Sequence, residues 1–163
     1  MRLSHPRIQT RQIHNLHSIH PPRSQLVTDP AWYHPFRTLG MPGVLGIEIL
    51  ELSEQRVVAT MPVDERTVQP FGILHGGASV ALAETVASFG AAGCIDRERF
   101  AAVGQEINAN HIRPKSGGVV TATATPVHIG RTSQVWSIQI LDESGSLICI
   151  SRCTMAIVPR RVP

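Results

Sequence analysis

The stretch Gln69-Pro70-Phe71-Gly72-Ile73-Leu74-His75-Gly76-Gly77 leads into a run of small and apolar residues with a single group that can ionise. Among the sixteen residues after His75 that group is Glu84. A carboxylate amid Ala, Val and Leu loses hydration and is costly unless paired or put to use. Glu84 is therefore a candidate nucleophile or general base, the alternative being a structural carboxylate held by a hydrogen bond. Gly76 stands where a helix would begin. Free N–H groups and the helix dipole favour a developing oxyanion there, although an ordinary glycine-rich start reads the same way. Ser88 follows Glu84 by four residues and shares its face. Gln69 carries an amide that both donates and accepts. Gly76 and Glu84 lie eight residues apart, about 12 Å along one helix. That is too far for both to touch one carbon, so if both act they come from different chains.

These residues need a frame. Ala, Leu and Val dominate from Gly76 to about Gly90–Gly93, which predicts a helix. Small residues occur on every side of it, which predicts burial all round, with Ser79 close enough to cap its first turn. Two strands precede it, at 44–52 and 55–61, joined by Ser53-Glu54. Asp64-Glu65-Arg66-Thr67 makes a polar loop, and Pro70 and Gly72 break the chain before the helix. Four more strands follow, at 101–112, 119–127, 133–141 and 147–158. Thr121, Thr123 and Thr125 share one face of the second of these, and Gln134, Trp136, Ile138 and Ile140 one face of the third. Asp142-Glu143-Ser144-Gly145 is a good hairpin signal. The order ββ-α-ββββ predicts an α+β domain, an antiparallel sheet curled round one long central helix.

The 163 residues suit one domain with a sizeable core. The net charge of +3 is uneven, because residues 1–28 hold Arg2, Arg7, Arg11 and Arg23 and no acid. Without those four the remainder stands at −1, which is no nucleic-acid footprint. No apolar run is long enough to span a bilayer. Cys94, Cys149 and Cys153 are odd in number and lack metal-ligand spacing, which fits reduced thiols in a cytoplasm. Residues 1–29, with His5, His14, His17 and His20, are expected to form a flexible extension and 30–163 the domain. Trp32, Tyr33 and Phe36 suggest an ordered aromatic lead-in.

The segment from Gln69 through His75-Gly76-Gly77 to Glu84 resembles the active-site text of hotdog-fold acyl-CoA thioesterases. The likeness is greatest to 1,4-dihydroxy-2-naphthoyl-CoA hydrolases of menaquinone synthesis and to the Glu-type 4-hydroxybenzoyl-CoA and phenylacetate-pathway thioesterases. Met61-Pro62-Val63-Asp64, the run from Gly104 to Arg113, and Gln134-Val135-Trp136 extend it, so that it covers about 42–158 and leaves the N-terminal segment out. The resemblance implies hydrolysis of an aromatic or medium-chain acyl-CoA, without metal or cofactor, in a homodimer or homotetramer with sites shared between copies. It implies that the Gly76 amide polarises the thioester carbonyl, that Glu84 attacks or activates water, and that Ser88 holds the carboxylate or the water. Gln69 would orient water or the acyl oxygen, and His75 would hydrogen-bond near the thioester or the aryl group.

On the same resemblance Gly104, His111, Ile112 and Arg113 bind substrate, together with the turn residues His128, Gly130, Arg131, Thr132 and Ser133. CoA phosphates and pantetheine call for cations and backbone donors. Arg152 is a weaker candidate. One departure is visible: similar enzymes often place Ser before this Arg, where here the turn reads Gly130-Arg131-Thr132. Phe89, Ile73, Leu82 and residues near Val68 are candidates to line the acyl pocket. Two readings compete on the same scaffold, a non-catalytic acyl-CoA-binding protein and a hotdog dehydratase. A serine hydrolase does not fit, since Gly77-Ala78-Ser79-Val80-Ala81 lacks the last glycine of a nucleophile elbow and a strand directly before it.

Overall fold

The computed structural model describes residues 31–36 and 38–160; the expected extension over 1–29 lies outside them. The described strands are β1 (Glu48–Leu52), β2 (Val57–Pro62), β3 (Phe100–His111), β4 (Val119–Ile129), β5 (Ser133–Asp142) and β6 (Leu147–Pro159). Two α-helices accompany them, α1 (Gly40–Val44) and α2 (Gly76–Gly93). The strands form one sheet in the order β1-β2-β4-β5-β6-β3, antiparallel at every pairing. β3 follows the helix yet takes the far edge, beside β6, so the sheet wraps α2. This is the α+β arrangement that the element order and the resemblance both predicted.

Period-two patterning explains the strands. Val120, Ala122 and Ala124 of β4 point inward, and Gln134, Trp136, Ile138 and Ile140 of β5 are buried to the last atom or nearly so. The β4 threonines take the outer face, where β-branched side chains suit a half-covered sheet. Each large side chain removed from water, such as Leu82 or Ile138, stabilises the domain by about 1.5–3 kcal/mol. Alanines at 59, 83, 87, 122 and 124 let helix and sheet approach closely. Gly90 does so most tightly, since a Cβ there would stand 2.6 Å from the Trp136 ring. The indole N–H donates to Gln134 Oε1 at 3.1 Å, and the Gln134 amide reaches the Ala91 carbonyl at 3.5 Å. Buried polar atoms of the core are thereby partnered.

Three expectations need correction. The first strand begins at Glu48 rather than at 44, because Val44 ends α1 and Gly46 (φ +69°) takes a left-handed conformation that interrupts a strand. α2 is not buried all round in one chain. Ala78, Ser79, Leu82, Ala83, Val86, Ala87, Gly90 and Ala91 face the core, whereas Val80, Ala81, Glu84, Thr85, Ser88 and Phe89 on the other side are only half-buried. Ser79 does not cap the helix but lies buried within it. The N-cap is His75, whose backbone is extended (ψ 132°) and whose Nδ1 accepts from the Gly77 N–H at 2.8 Å.

The aromatic lead-in is ordered. Tyr33 meets Phe89 edge to face at 4.9 Å between ring centroids, and Trp32 and Phe36 flank the same ring at 6.1 and 6.5 Å.

Candidate active site

The loop before α2 is pinned at both ends. Thr67 is buried, donates through Oγ1 to the Pro62 carbonyl at 2.9 Å, and accepts the His75 N–H at 2.8 Å. A single antiparallel bridge joins Val68 to Leu74, and Gly72 (φ +77°) closes the turn between them. Gln69 Oε1 accepts weakly from the Phe71 N–H at 3.4 Å. Together these contacts hold Gln69 and His75 at the mouth of the helix. A neutral His75 whose Nδ1 accepts carries its proton on Nε2, which leaves an N–H donor on the exposed side of the ring.

The first turn of a helix has N–H groups without intrahelical acceptors. Here those of Ala78 and Ser79 go to the His75 carbonyl and that of Gly77 to the His75 ring. The Gly76 N–H finds no acceptor among the described residues. It borders a cleft of about 350 Å³ whose walls include Gln69, Ile73, His111, Ile112 and Arg113. His111 lies on the Gly76 Cα so closely that a Cβ would sit 2.6 Å from its Nε2. Arg113 donates to the Leu147 carbonyl at 3.0 Å, and no acid lines this cleft. Six of the residues singled out from sequence thus converge on one donor-rich, cationic hollow: Gln69, Ile73, Gly76, His111, Ile112 and Arg113.

Glu84 is elsewhere. Its carboxylate lies against Gly104 of β3, in the place that a Cβ on that residue would take. The pairing of β3 with β6 shifts between Gly104 and Glu106, so that Gln105 is an extra residue and the edge strand bulges beside the carboxylate. Cys153 is nearby. Burial first, then the Glu84 and Glu106 charges, push its thiol up to about 12, so it stays protonated and inert. Ser88 stands one turn on from Glu84 and lines a second cleft of about 380 Å³ with Phe89 and Trp32. No hydrogen bond joins Ser88 to Glu84 among the described residues.

The remaining candidates divide between the two ends of the sheet. His111 pairs with Cys149 of β6, and Ser133 with Ala156, seven residues further along that strand. This separates the His111–Arg113 group from the β4–β5 turn by roughly 23 Å. In that turn the Gly130 N–H donates to the Ser133 carbonyl at 2.9 Å, and His128 Nε2 lies 2.5 Å from where a Gly130 Cβ would be. Arg131 and Thr132 are exposed at its tip, and Arg152 is exposed in mid-strand on β6. Leu82 does not line either cleft. It is fully buried against the sheet, because its position on α2 faces the core.

Sequence reasoning named Ser88 and Phe89 of the second cleft but missed Arg97, Phe100 and Arg160. The cleft draws on three separate segments, 32–36, 88–102 and 160, so its walls form no local motif. Only the aromatic run around Trp32 was available as a signal.

Residues 71–149 match the family described as Thioesterase superfamily. The chain is 62% identical over 116 residues to the Bacillus subtilis protein ComA2, covering 71% of this chain and 92% of that one. It is 49% identical over 123 residues to the 1,4-dihydroxy-2-naphthoyl-CoA hydrolase of Listeria monocytogenes, covering 76% and 99%. The crystal structure of a mutant of thioesterase PA1618 from Pseudomonas aeruginosa superposes with a TM-score of 0.78 at 41% identity, over 83% of this chain and 98% of that one.

Proposed function

The chain belongs to the thioesterase superfamily and is an acyl-CoA thioesterase, and from that premise we propose how its residues do the work and on what. The carrying observation is the free Gly76 N–H in a cleft with Gln69 and His111, set two helical turns from a carboxylate that lies against Gly104, further back along β3. The thioester carbonyl oxygen accepts from the Gly76 N–H at the positive end of the α2 dipole, and charge developing on that oxygen is stabilised there. Glu84 is supplied by a second copy of the chain. It either adds to the carbonyl carbon, displacing the CoA thiolate and leaving a mixed anhydride that water opens, or takes a proton from water, whose oxygen adds before the thiolate departs. Ser88 positions the carboxylate or the water once substrate is bound, while Gln69 and His75 Nε2 orient the acyl oxygen and the thioester.

Two features support assembly from copies. The half-buried face of α2 is apolar or small apart from Glu84, and the edge strand β3 exposes Val103 and unpaired backbone beside it. The β4–β5 turn and the His111–Arg113 group, too far apart to grip one pantetheine arm in one chain, both serve CoA when contributed by different copies. The acyl group is aromatic, in keeping with the rings lining the second cleft and with the naphthoyl-CoA hydrolases among the relatives. No metal or cofactor takes part beyond the CoA of the substrate. Three free thiols fit work in the reducing cytoplasm, and among the described residues no helix is long and apolar enough to cross a membrane.

A thiol-release assay over aromatic and medium-chain acyl-CoAs, run beside Glu84→Ala, tests this. The wild type should release CoA fastest from aromatic esters, and the variant should fall by about 10²–10⁴ in kcat while keeping its fold. An active Glu84→Ala enzyme would remove the site assignment.

A further inference from the structure

The second cleft begins at Ser88, one turn past Glu84, and runs to the C-terminal end of α2. Its floor includes Ala101 and Ala102 of β3, two residues before the Gly104 that touches the Glu84 carboxylate. Four aromatic rings, of Trp32, Phe36, Phe89 and Phe100, line it. Two guanidinium groups do as well. Arg97 stacks on the Trp32 ring at 4.3 Å and donates to the Ala92 carbonyl at 3.2 Å, and Arg160 donates to the Arg97 carbonyl at 3.0 Å.

Neither guanidinium meets a carboxylate. Among the described residues the ion pairs are Arg56–Glu51, Arg66–Asp64 and Lys115–Glu143, and no acid lines this cleft. Backbone carbonyls hold the two cations in place without neutralising them. Each guanidinium has five N–H donors, of which these contacts use one. The unused donors form planar forks, and a planar fork suits a carboxylate. Ala92, which anchors Arg97, lies eight residues past Glu84, about 12 Å along the helix. A carbonyl carbon about 3 Å from Glu84 and a charge about 3 Å from Arg97 leave room for one ring and a short linker.

We infer that this cleft holds the acyl group, and that Arg97 and Arg160 select an arylacyl group carrying a carboxylate at the end away from the thioester. The inference rests on the hydrolase mechanism above, with Glu84 as the reacting carboxylate, and adds the charge of the acyl group to it. Trp32 and Phe36, from the segment that precedes the sheet, supply the aromatic wall and the stacking surface that fixes Arg97.

The test compares 4-carboxycinnamoyl-CoA with 4-methylcinnamoyl-CoA in the full-length wild type, Arg97→Gln and Arg160→Gln. The wild type should favour the carboxylated ester by about tenfold or more in kcat/KM, the size of a charge-assisted hydrogen bond, and each variant should bring that ratio toward one. Arg160 is exposed, so its variant folds even if loss of the Trp32 stack harms Arg97→Gln. Equal wild-type rates on both esters, or a preference that survives both substitutions, would overturn the inference while leaving the hydrolase intact. Binding of free 4-carboxycinnamate and 4-methylcinnamate, followed by quenching of tryptophan fluorescence, gives a second readout. If neither ester is cleaved but the diacid binds in an Arg97-dependent way, the cleft assignment stands and the Glu84 mechanism fails. If the diacid binds no better than the methyl acid, the assignment falls.

Discussion

Gly104→Ala separates position from stability. A methyl group on residue 104 would occupy the space of the Glu84 carboxylate oxygen. Carbon and oxygen tolerate an approach of about 3.3 Å, so the carboxylate must withdraw by about 1 Å. A displacement of that size costs about 100-fold in rate, or about 2.7 kcal/mol of transition-state stabilisation. Stability should move the other way. Gly104 does not have a left-handed φ, and the clashing atom is the end of a side chain free to rotate. Replacing glycine in a strand then gains about 0.5–1 kcal/mol, or roughly 2–4 °C in Tm. The assay is CoA release by Gly104→Ala, with Tm and assembly state measured on the same sample. Gly117→Ala, where a Cβ meets nothing within 4 Å, is the control. Wild-type turnover by Gly104→Ala, or a loss of rate that merely follows a fall in Tm, would refute the role given to the Glu84–Gly104 contact.

Gly90→Ala should lower Tm although alanine is the better helix former. The propensity gain of about 1 kcal/mol is opposed by about 1–3 kcal/mol of overpacking against the buried Trp136 ring, and thermal unfolding followed by circular dichroism decides the sign. At the β5–β6 hairpin, the hydrogen bond and ion pair with Lys115 and the Val119 N–H hold the Glu143 carboxyl down at about 2, from an ordinary value of 4.5. A depressed carboxyl contributes stability that is complete above pH 4.5 and is lost as pH falls toward 2. Glu143→Gln should therefore melt below the wild type at pH 7, with the difference shrinking across that acid range; a constant difference from pH 6 to pH 2.5 would count against it.

The strands and the long helix were readable because their patterning is local. Alternation of threonine with small apolar residues set β4, and Gln134, Trp136, Ile138 and Ile140 set the inner face of β5. Glu84 drew attention for a reason equally local, a charge within an apolar run. Contacts between distant segments were not readable. Nothing near residue 84 tells that its carboxylate rests on Gly104, and nothing links Trp32, Arg97 and Arg160 before the chain is folded. The cap was misplaced because Ser is the stronger capping residue, yet position decides: His75 has the extended backbone at the helix boundary and Ser79 lies four residues inside. Expected burial all round α2 failed because its outer face is only partly covered within one chain, by Gly104 at Glu84 and by Trp32, Tyr33 and Phe36 at Phe89.

The central claim is that each site takes its Gly76 amide from one copy and its Glu84 from another. Gly76→Pro removes that N–H and, through its Cβ, displaces His111, disabling the Gly76 half of the site, while proline suits the first helical position after a His75 whose extended backbone tolerates it. Glu84→Ala removes the other half. Each variant alone should be nearly inactive. Chains of the two variants mixed one to one and allowed to exchange should recover about a quarter of wild-type CoA release, because half the pairs are hybrids and each hybrid holds one intact site. A mixture no more active than the two variants measured apart would contradict the shared site.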